Sequence, residues 1–350
     1  MDKFGAFLMI LLAAFLWYNY RNGLAIEAAC KYYEQKVTNN QPVSMVEIVL
    51  KWWLLRWFVG VVAPLWWYTL VRRPCRVNNN YRLDMEKWSV LTGCTDGIGR
   101  EYTLELANRG VRKFMLVARN NQKLAALSEE IYKIQPIALI QVFIVDFIEP
   151  DWTELTLAIR DGRKIGLLVN CAGLSVPYAA KFTDYEANLA ANIVRVNIES
   201  VTHLIDLILP EMVKNQHGAI VNVASMMGMF HAQNCSTYAS SKAFIIQFTE
   251  ALAREYADQG IRIQCLVPAY VCTKMVRSRD AHNWYFHMNA KEYAQDAVDQ
   301  LMYSMLVTQT GCFQHDIVVS GMSFWPNWAP QYLGLGASYW SPEGALQKSN

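Results

Sequence analysis

The stretch WSVLTGCTDGIGREYTLELANRG, residues 88–110, places a short β-rich run, a glycine-rich loop and an amphipathic helix in direct succession. Its glycines Gly93, Gly97 and Gly99 follow the spacing G-x-x-x-G-x-G. The first permits a tight exit from a strand, the second lets backbone approach a pyrophosphate, and the third lets the helix pack closely on a sheet. Phosphate charge would then face the positive end of the helix. The stretch therefore predicts a dinucleotide-binding unit.

The next apolar run, KFMLVARN at 113–120, predicts which dinucleotide is bound. It ends about 20 residues past the last glycine, where dinucleotide folds read the adenosine ribose. An acidic residue there would bond the ribose hydroxyls and favour NAD, but this chain has Ala118 and then Arg119. Because a guanidinium suits a 2′-phosphate, we expect the cofactor to be NADP(H). The alternative is that Arg119 is a solvated loop cation.

The remainder of the chain alternates apolar runs with helical patterns. This order predicts an α/β fold, a doubly wound parallel sheet of the Rossmann type with helices on both faces. Ligands bind such sheets at the carboxyl ends of the strands, and the glycine loop, Asp146, Asn170 and Ser225 all lie at or just beyond such ends. The further predicted strands are IQVFIVDF (140–147), IGLLVNCAG (165–173), GAIVNVAS (218–225), IRIQCLV (261–267) and DIVVSG (316–321).

The composition indicates membrane contact, since hydrophobic residues make up 53% of the chain and charged residues only 18%. The apolar segments, at about 4–20 and 48–71, fall within residues 1–80, which we expect to form a membrane-associated helical region. A cleaved signal peptide at the first segment, or a buried core helix at either one, are the alternatives. A catalytic domain would then occupy 81–321 and an aromatic tail 322–350.

Charges near the second apolar segment predict the orientation of the chain. Arg72, Arg73 and Arg76 place the following domain on the cytoplasmic side of a membrane. A mitochondrial presequence is an alternative against which Asp2 and the scarcity of Arg and Ser argue.

Net charge and cysteine spacing limit the classes of partner and site that we expect. A formal net charge of +2 makes no electrostatic case for nucleic-acid binding. The eight cysteines are scattered, without a CxxC pair or a Cys/His cluster. They predict free thiols in a reducing compartment and no metal site.

A candidate reactive centre lies in YASSK, where Tyr238 and Lys242 are four residues apart and share one helix face. Ser225, in NVASMMG, precedes the pair by thirteen positions. The pentapeptide alone also fits an ordinary turn of helix, so the surrounding motifs decide its interpretation.

Taken together, these motifs resemble the short-chain dehydrogenase/reductase family over roughly residues 84–321. TGCTDGIG is similar to that family's TGxxxGxG loop, NCAG to its NNAG element, and VPAYVCTKM to the stretch that closes over the nicotinamide. Asn197, Ser225, Tyr238 and Lys242 occur in the family's order and spacing. The chain departs from the family pattern at Cys171, which replaces the second Asn of NNAG, and at Ala269, where many members have Gly.

Within the family, TDGIG, VPxxVxTxM and the two apolar segments resemble the membrane-bound branch. This branch contains 17β-hydroxysteroid dehydrogenases of types 3 and 12, very-long-chain 3-oxoacyl-CoA reductases and hydroxysteroid dehydrogenase-like proteins. Some of the last group lack the tyrosine and are considered inactive, whereas this chain retains Tyr238. The resemblance implies an endoplasmic reticulum membrane location with the catalytic domain facing the cytosol, and it leaves a homodimer open.

The resemblance implies a role for each residue of the reactive centre. Tyr238 is the expected acid in reduction and base in oxidation. Lys242 is expected to lower the pKa of the phenol and to hold the nicotinamide ribose. Ser225 is expected to hydrogen-bond the substrate carbonyl. Asn197 is expected to orient a water that links Lys242 to solvent, the alternative being that it satisfies helix backbone groups.

The same resemblance implies the cofactor contacts. Thr273 is placed on the nicotinamide carboxamide, Asp146 near the adenine, and Asn170 at the strand end beside the cofactor. Asp96 either contacts the cofactor or shapes the glycine loop. The implied cofactor-binding set is Thr92, Gly93, Asp96, Gly97, Ile98, Gly99, Arg119, Asp146, Asn170, Tyr238, Lys242 and Thr273.

Residues 274–313 are rich in aromatics and Met, which suits a lipophilic substrate, although ordinary core packing is the alternative. The leading function is an NADP(H)-dependent hydroxysteroid dehydrogenase or ketosteroid reductase. A second is 3-oxoacyl-CoA reduction in fatty-acid elongation, which would need a basic patch. A third is a catalytically silent cofactor-binding membrane scaffold, against which the intact reactive set argues. Basic residues in the cover are Lys274, Arg277, Arg279 and Lys291.

Overall fold

The structure, a computed structural model, describes residues 82–273, 287–304, 306–312, 314–316 and 318–319. The two apolar N-terminal segments, the aromatic tail and part of the predicted substrate cover lie outside these residues. Within the described part of the chain, no helix is both long enough and apolar enough to cross a bilayer.

The core of the fold is one seven-stranded sheet in which all the paired strands run parallel. Its strand order is β3-β2-β1-β4-β5-β6-β9, and this confirms the predicted doubly wound α/β fold. The strands are β1 (Trp88–Thr92), β2 (Lys113–Ala118), β3 (Leu139–Ile144), β4 (Ile165–Asn170), β5 (Gly218–Val223), β6 (Ile261–Leu266) and β9 (Thr308–Gln309). A separate pair joins β7 (Tyr270–Cys272) to β8 (His287–Asn289).

Helices cover both faces of this sheet. One face packs against α1 (Gly97–Asn108), α2 (Asn121–Ile134) and α7 (Ala290–Tyr303). The other packs against α3 (Thr153–Arg160), α5 (Ser200–Asn215) and α6 (Ser236–Glu255). A short helix α4 (Leu189–Val194) leads through a π-helical turn, Arg195–Glu199, into α5.

The strand order reverses between β1 and β4, and a crevice opens at such a switch point. In the pairing register Thr92 is opposite Asn170, and Asn170 is opposite Asn222. The carboxyl ends of β1, β4 and β5 therefore meet at one edge of the sheet. The loops that follow these strands carry the glycine loop, the NCAG element and Ser225.

The predicted last strand at 316–321 is wrong. Within the described residues the last strand of the sheet is β9, and residues 314–316 and 318–319 are helical. The N–H of Asp316 donates to the carbonyl of Cys312 at 3.1 Å, which closes a helical turn. Val319 is buried against the core as part of this helical segment. A short apolar run fits a buried helix as well as a strand, and periodicity alone does not separate them.

Candidate active site

The glycine loop between β1 and α1 is built so tightly that side chains are excluded from it. Gly93 has φ +60°, and a Cβ there would lie 2.6 Å from the backbone nitrogen of Ala172. A Cβ on Gly99 would lie 2.3 Å from the carbonyl oxygen of Gly93. Both positions require glycine, because one has a left-handed conformation and the other has no space for a methyl group. The loop thus folds onto itself and onto the chain that leaves β4.

Thr92 ties this loop to the loop after β4. Its hydroxyl accepts the backbone N–H groups of Cys171 at 3.1 Å and Ala172 at 3.2 Å. Cys171, the departure from the family pattern, fits its position, since a Cβ on Gly99 would lie 3.2 Å from its sulfur. Burial raises the pKa of the Cys171 thiol to about 11, so the sulfur is a neutral packing group near pH 7.

Asp96 shapes the glycine loop, which is one of the two roles left open by the sequence. Its carboxylate caps α1 by accepting the N–H of Gly97 at 3.0 Å. The other carboxylate oxygen pairs with Nζ of Lys123 at 3.0 Å, so the negative charge at this helix end is partly balanced. Ile98 lies on the core side of the same helix, packed against buried residues.

Arg119 and Asp146 lie side by side just beyond the ends of the neighbouring strands β2 and β3. The guanidinium is 3.8 Å from the Asp146 carboxylate, and the Arg119 side chain is 70% exposed. Asp146 also accepts the N–H of Ile148 at 3.0 Å, which holds its carboxylate in place. An exposed ion pair of this length constrains little, so Arg119 can turn towards an anionic ligand.

Asn170 is the last residue of β4, and its side chain connects the ends of neighbouring strands. Its side-chain amide donates to Oδ1 of Asn222 at 2.9 Å, and Asn222 donates in turn to Thr249 on α6 at 3.0 Å. Oδ1 of Asn170 is buried and has no hydrogen-bond partner among the residues that the structure describes. The side chain thus links β4 and β5 directly and reaches α6 through Asn222. Its carbonyl oxygen is left as an acceptor for a further hydrogen bond.

Tyr238 and Ser225 bring two hydroxyl groups together above β5. Ser225 begins the 3-10 turn Met226–Gly228, where its Oγ accepts the N–H of Met227 at 3.2 Å. Tyr238 lies in the first turn of α6 and is buried. Burial raises the pKa of the Tyr238 phenol, and the hydroxyl of Ser225, which bonds the phenol, partly opposes this rise.

Lys242 lies one helical turn further along α6. Its ammonium donates to the carbonyl of Val223 at 2.8 Å and lies 5.9 Å from the centroid of the Tyr238 ring. Burial lowers the pKa of Lys242 to about 8. The expected lowering of the tyrosine pKa is therefore absent from this structure, because desolvation dominates at both groups.

Asn197 lies in the π-helical turn, where it holds the loop after β4. Its Oδ1 accepts the N–H of Leu174 at 2.7 Å, and its Nδ2 donates to the carbonyl of the same residue at 3.0 Å. Nδ2 also donates to Oγ of Ser241 on α6 at 2.9 Å. Asn197 thus bonds both backbone polar groups of one loop residue, which differs from the helix-backbone alternative, and its contact with a water stays a prediction. Gly173 lies beside both Lys242 and Asn197.

Thr273 closes the site from the side of β6. A Cβ on Gly97 would lie 3.0 Å from Cγ2 of Thr273, so this residue rests on the glycine loop. Thr273 ends the segment 268–273, which follows β6. At the start of this segment, the carbonyl of Pro268 accepts the N–H of Met226 at 3.0 Å. The segment thus bridges the Ser225 turn and the glycine loop, as its resemblance to the nicotinamide-covering stretch implies.

Sequence reasoning missed Gly228, which ends the turn that carries Ser225. A Cβ at this position would lie 2.6 Å from the nitrogen of Ala243 and 2.6 Å from the carbonyl carbon of Lys242. The turn and the helix that carry the reactive residues therefore touch backbone to backbone. The available signal was a glycine three residues after Ser225, directly upstream of the YASSK helix.

Comparison with known proteins agrees with this geometry. The short chain dehydrogenase profile matches residues 87–284. A chicken protein named hydroxysteroid dehydrogenase-like protein 1 is 34% identical over 301 residues, which cover 82% of this chain and 87% of that protein. The chain belongs to the short-chain dehydrogenase family.

Other relatives of this short-chain dehydrogenase carry different activities in their names. The human inactive hydroxysteroid dehydrogenase-like protein 1 is 32% identical over 299 residues, covering 82% of this chain and 87% of its own. The bovine very-long-chain 3-oxoacyl-CoA reductase is 37% identical over 196 residues, covering 55% of this chain and 61% of its own.

Among solved structures, a short-chain dehydrogenase from Sphingobium yanoikuyae in complex with NADPH aligns with a TM-score of 0.56 and 27% identity. The alignment covers 61% of this chain and 84% of that one. Among the described residues, no group of His, Cys, Asp or Glu is arranged to hold a metal ion.

Proposed function

We propose that this short-chain dehydrogenase is an NADP(H)-dependent oxidoreductase that interconverts a ketone and a secondary alcohol on a lipophilic substrate. Its leading activity in this proposal is that of a hydroxysteroid dehydrogenase or ketosteroid reductase. The observation that carries the proposal is the convergence of the buried Ser225 and Tyr238 hydroxyls. They meet one helical turn from Lys242, at the sheet edge that also holds the glycine loop.

The proposed chemistry is proton transfer matched to hydride transfer. NADPH, when bound, supplies the hydride. The substrate oxygen then gains negative charge and needs a proton at about the same moment. Tyr238, whose pKa is raised by burial, holds its proton at neutral pH and donates it to that oxygen. Ser225 donates a hydrogen bond to the same oxygen and fixes the carbonyl. In oxidation Tyr238 accepts the proton.

The residues present fit NADP(H). The backbone of the glycine loop lies at the N-terminus of α1, a helix of 12 residues, where phosphate charge is favoured. Position 118, at the end of β2, is alanine, so no carboxylate there competes with a 2′-phosphate. The exposed guanidinium of Arg119 follows directly, and it supplies the positive charge that this phosphate requires.

Replacing Arg119 with Ala is expected to raise the Kd for NADPH by about 10- to 100-fold, since a charge-assisted contact is lost. The Kd for NADH, which lacks the 2′-phosphate, should change little. Fluorescence titration with both cofactors measures the two constants. Arg112→Ala is the matched control, because Arg112 precedes β2 at its opposite end and pairs with Glu86 at 2.8 Å. Equal loss of NADPH and NADH binding would contradict the role of Arg119.

The walls beside the hydroxyl pair favour a lipophilic substrate. A small apolar cluster packs there, on the loops after β4 and β5 and on the first turns of α6. Apolar side chains near the hydroxyl pair suit a ketone with a large hydrocarbon body. The cluster includes Val176, Ile193, Cys235 and Ala239, with Leu174, Tyr185, Leu189, Met227 and Ala232 packed against it.

The second candidate, 3-oxoacyl-CoA reduction, is favoured by the 37% identity to the bovine enzyme. Of the four basic residues predicted to serve a CoA phosphate, Lys291 lies within the described residues, in the first turn of α7. The silent scaffold is favoured by the relatives named inactive. The retained Tyr238 supports an active enzyme instead.

One assay tests all three candidate functions. Membranes that contain the full chain are incubated with NADPH and either a panel of steroid ketones or a panel of 3-oxoacyl-CoAs, and NADPH oxidation is followed. Turnover of steroid ketones supports the leading activity, and turnover of acyl-CoAs alone supports the second. Oxidation with neither panel, by a chain that binds NADPH, would favour the scaffold. The reticulum location, the cytosolic orientation and the homodimer stay predictions.

The titration of Lys242 predicts how the reductase depends on pH. The lowered pKa of about 8 means that the amine loses its charge as the pH rises through this value. The phenol of Tyr238 has a raised pKa, so it keeps its proton over the same range. The charged amine is the form proposed to hold the nicotinamide ribose, so the kcat/KM for reduction, which reports the free enzyme, should fall above about pH 8. Initial rates from about pH 6 to 10 measure it, and a constant value across this range would contradict the prediction.

A further inference from the structure

His315 is buried in the helical turn after β9, with an exposed fraction of 0%. Its Nδ1 accepts the backbone N–H of Ala269 at 3.2 Å. Its Nε2 lies 3.2 Å from the carbonyl oxygen of Tyr270 and donates to it. Both bonds form together only in the neutral ring that carries its proton on Nε2. One imidazole thus holds two consecutive residues of the chain after β6.

These two residues are the middle of the segment that bridges the site. At one end the carbonyl of Pro268 bonds the Ser225 turn through Met226, and at the other end Thr273 rests on Gly97. The two ends are fixed to separate loops on opposite sides of the crevice. From Tyr270 onward the segment is β7, which pairs with β8, so the bond from Ala269 to His315 holds the part of the segment that precedes this pairing.

The histidine is itself anchored to α7. The ring of Tyr293 lies 5.4 Å from the His315 ring, and its hydroxyl donates to the carbonyl of Thr310 at 3.1 Å. A Cβ on Gly311 would lie 2.3 Å from that hydroxyl, so the chain passes directly over it. The hydroxyl of Thr310 donates to the carboxylate of Asp316 at 2.6 Å. Helix α7, the turn after β9 and the imidazole of His315 therefore pack together behind the segment.

We propose that His315 is a positioning residue for the nicotinamide half of the cofactor. This rests on the proposed function, since it presumes that NADP(H) lies along the crevice with its reacting end at Tyr238. Without the imidazole, Ala269 and Tyr270 lose their bonds to His315, and the part of the segment between Pro268 and β7 can move away from the crevice. The wall between the Ser225 turn and Gly97 then loosens. The adenosine end, at Arg119 beyond β2, lies on the other side of the glycine loop and is left intact.

The test compares a whole cofactor with a fragment that lacks the nicotinamide. NADPH and adenosine 2′,5′-bisphosphate are titrated calorimetrically against the full chain. His315→Leu should raise the Kd for NADPH by about tenfold or more, as expected when one or two ordinary hydrogen bonds are lost. The Kd for the fragment should stay within about twofold, a limit set by the small effects usual for changes away from a contact.

His315→Gln is the rescue variant, since a carboxamide offers an acceptor and a donor at a spacing close to that of the imidazole nitrogens. It should bind NADPH close to wild type. His203→Leu is the matched control, because His203 is a histidine stacked on Trp152 with ring centroids 4.5 Å apart, away from the segment. It should leave both ligands unchanged.

The outcomes separate the two proposals. A wild-type chain that binds the fragment but not NADPH, or neither ligand, overturns the proposed function. A wild-type chain that binds both, with a His315→Leu variant that binds NADPH equally well or loses both ligands equally, overturns the role of His315. Failure of the Gln variant to restore NADPH binding overturns it as well. Where the Leu variant does not fold, His315→Met, whose flexible side chain fills an irregular space and offers only a weak acceptor, takes its place in the same comparison.

Discussion

Replacing Tyr238 with Phe is expected to lower kcat for NADPH-dependent reduction by about 10²- to 10⁴-fold, the usual contribution of a positioned acid. The substitution removes one oxygen and keeps the ring that packs in the first turn of α6. Because the pKa of the phenol is raised by burial, the wild-type group holds its proton and can deliver it. The Kd for NADPH should stay near wild type. Initial rates and a fluorescence titration of the same protein measure both.

The control for this variant is Tyr132→Phe on α2, where the tyrosine is 44% exposed and far along the chain from the reactive residues. That protein should retain wild-type turnover. Undiminished turnover in Tyr238→Phe would overturn the assignment of the acid. Loss of NADPH binding together with turnover would instead assign Tyr238 a binding role.

Replacing Gly228 with Ala is expected to lower kcat/KM by about 10²-fold, the effect of displacing a reacting group by about 1 Å. The added methyl group would lie 2.6 Å from backbone atoms of Lys242 and Ala243. Backbone cannot move aside as a flexible side chain can, so the turn that carries Ser225 must separate from α6. The two hydroxyls would then no longer converge on one substrate oxygen. Overpacking of this kind also lowers the free energy of unfolding by about 1–3 kcal/mol.

Gly110→Ala is the matched control for Gly228→Ala. Gly110 has φ +96°, and a Cβ there would meet no atom within 4 Å. The variant should lose stability through backbone strain and keep its kcat/KM. Urea unfolding and steady-state kinetics on both proteins separate the two effects. Wild-type kcat/KM in Gly228→Ala would show that the contact between turn and helix does not position Ser225.

The fold could be predicted from the sequence because the patterns that indicate it are local. The apolar strands, the helices between them and the glycine spacing each depend on neighbouring residues, and together they predicted the parallel sheet. The prediction of a last strand at 316–321 was wrong, because the described residues of this run, 316 and 318–319, are helical. A run this short is compatible with either structure, and burial against the core decides which one forms.

The sequence predicted which polar residues form the site, but it predicted their hydrogen-bond partners less well. Asn197, which is expected to orient a water, bonds both backbone groups of Leu174, a partner that the sequence did not indicate. Asp96 had two open roles, and its bonds to Gly97 and Lys123 show that it shapes the loop. Partners of this kind come from other parts of the chain, so spacing along the sequence carries no information about them.

The sequence by itself determined the family, the parallel sheet, the glycine loop and the spacing of the reactive residues. Each of these is encoded by side-chain periodicity or by the conformational freedom of glycine within a few residues. Only the tertiary structure decided how strongly the reactive groups are desolvated, which raises the pKa of Tyr238 and lowers that of Lys242. It also decided that Gly228 touches α6 and that His315 holds the chain after β6. These properties depend on the packing of distant segments, and packing is a property of the whole fold.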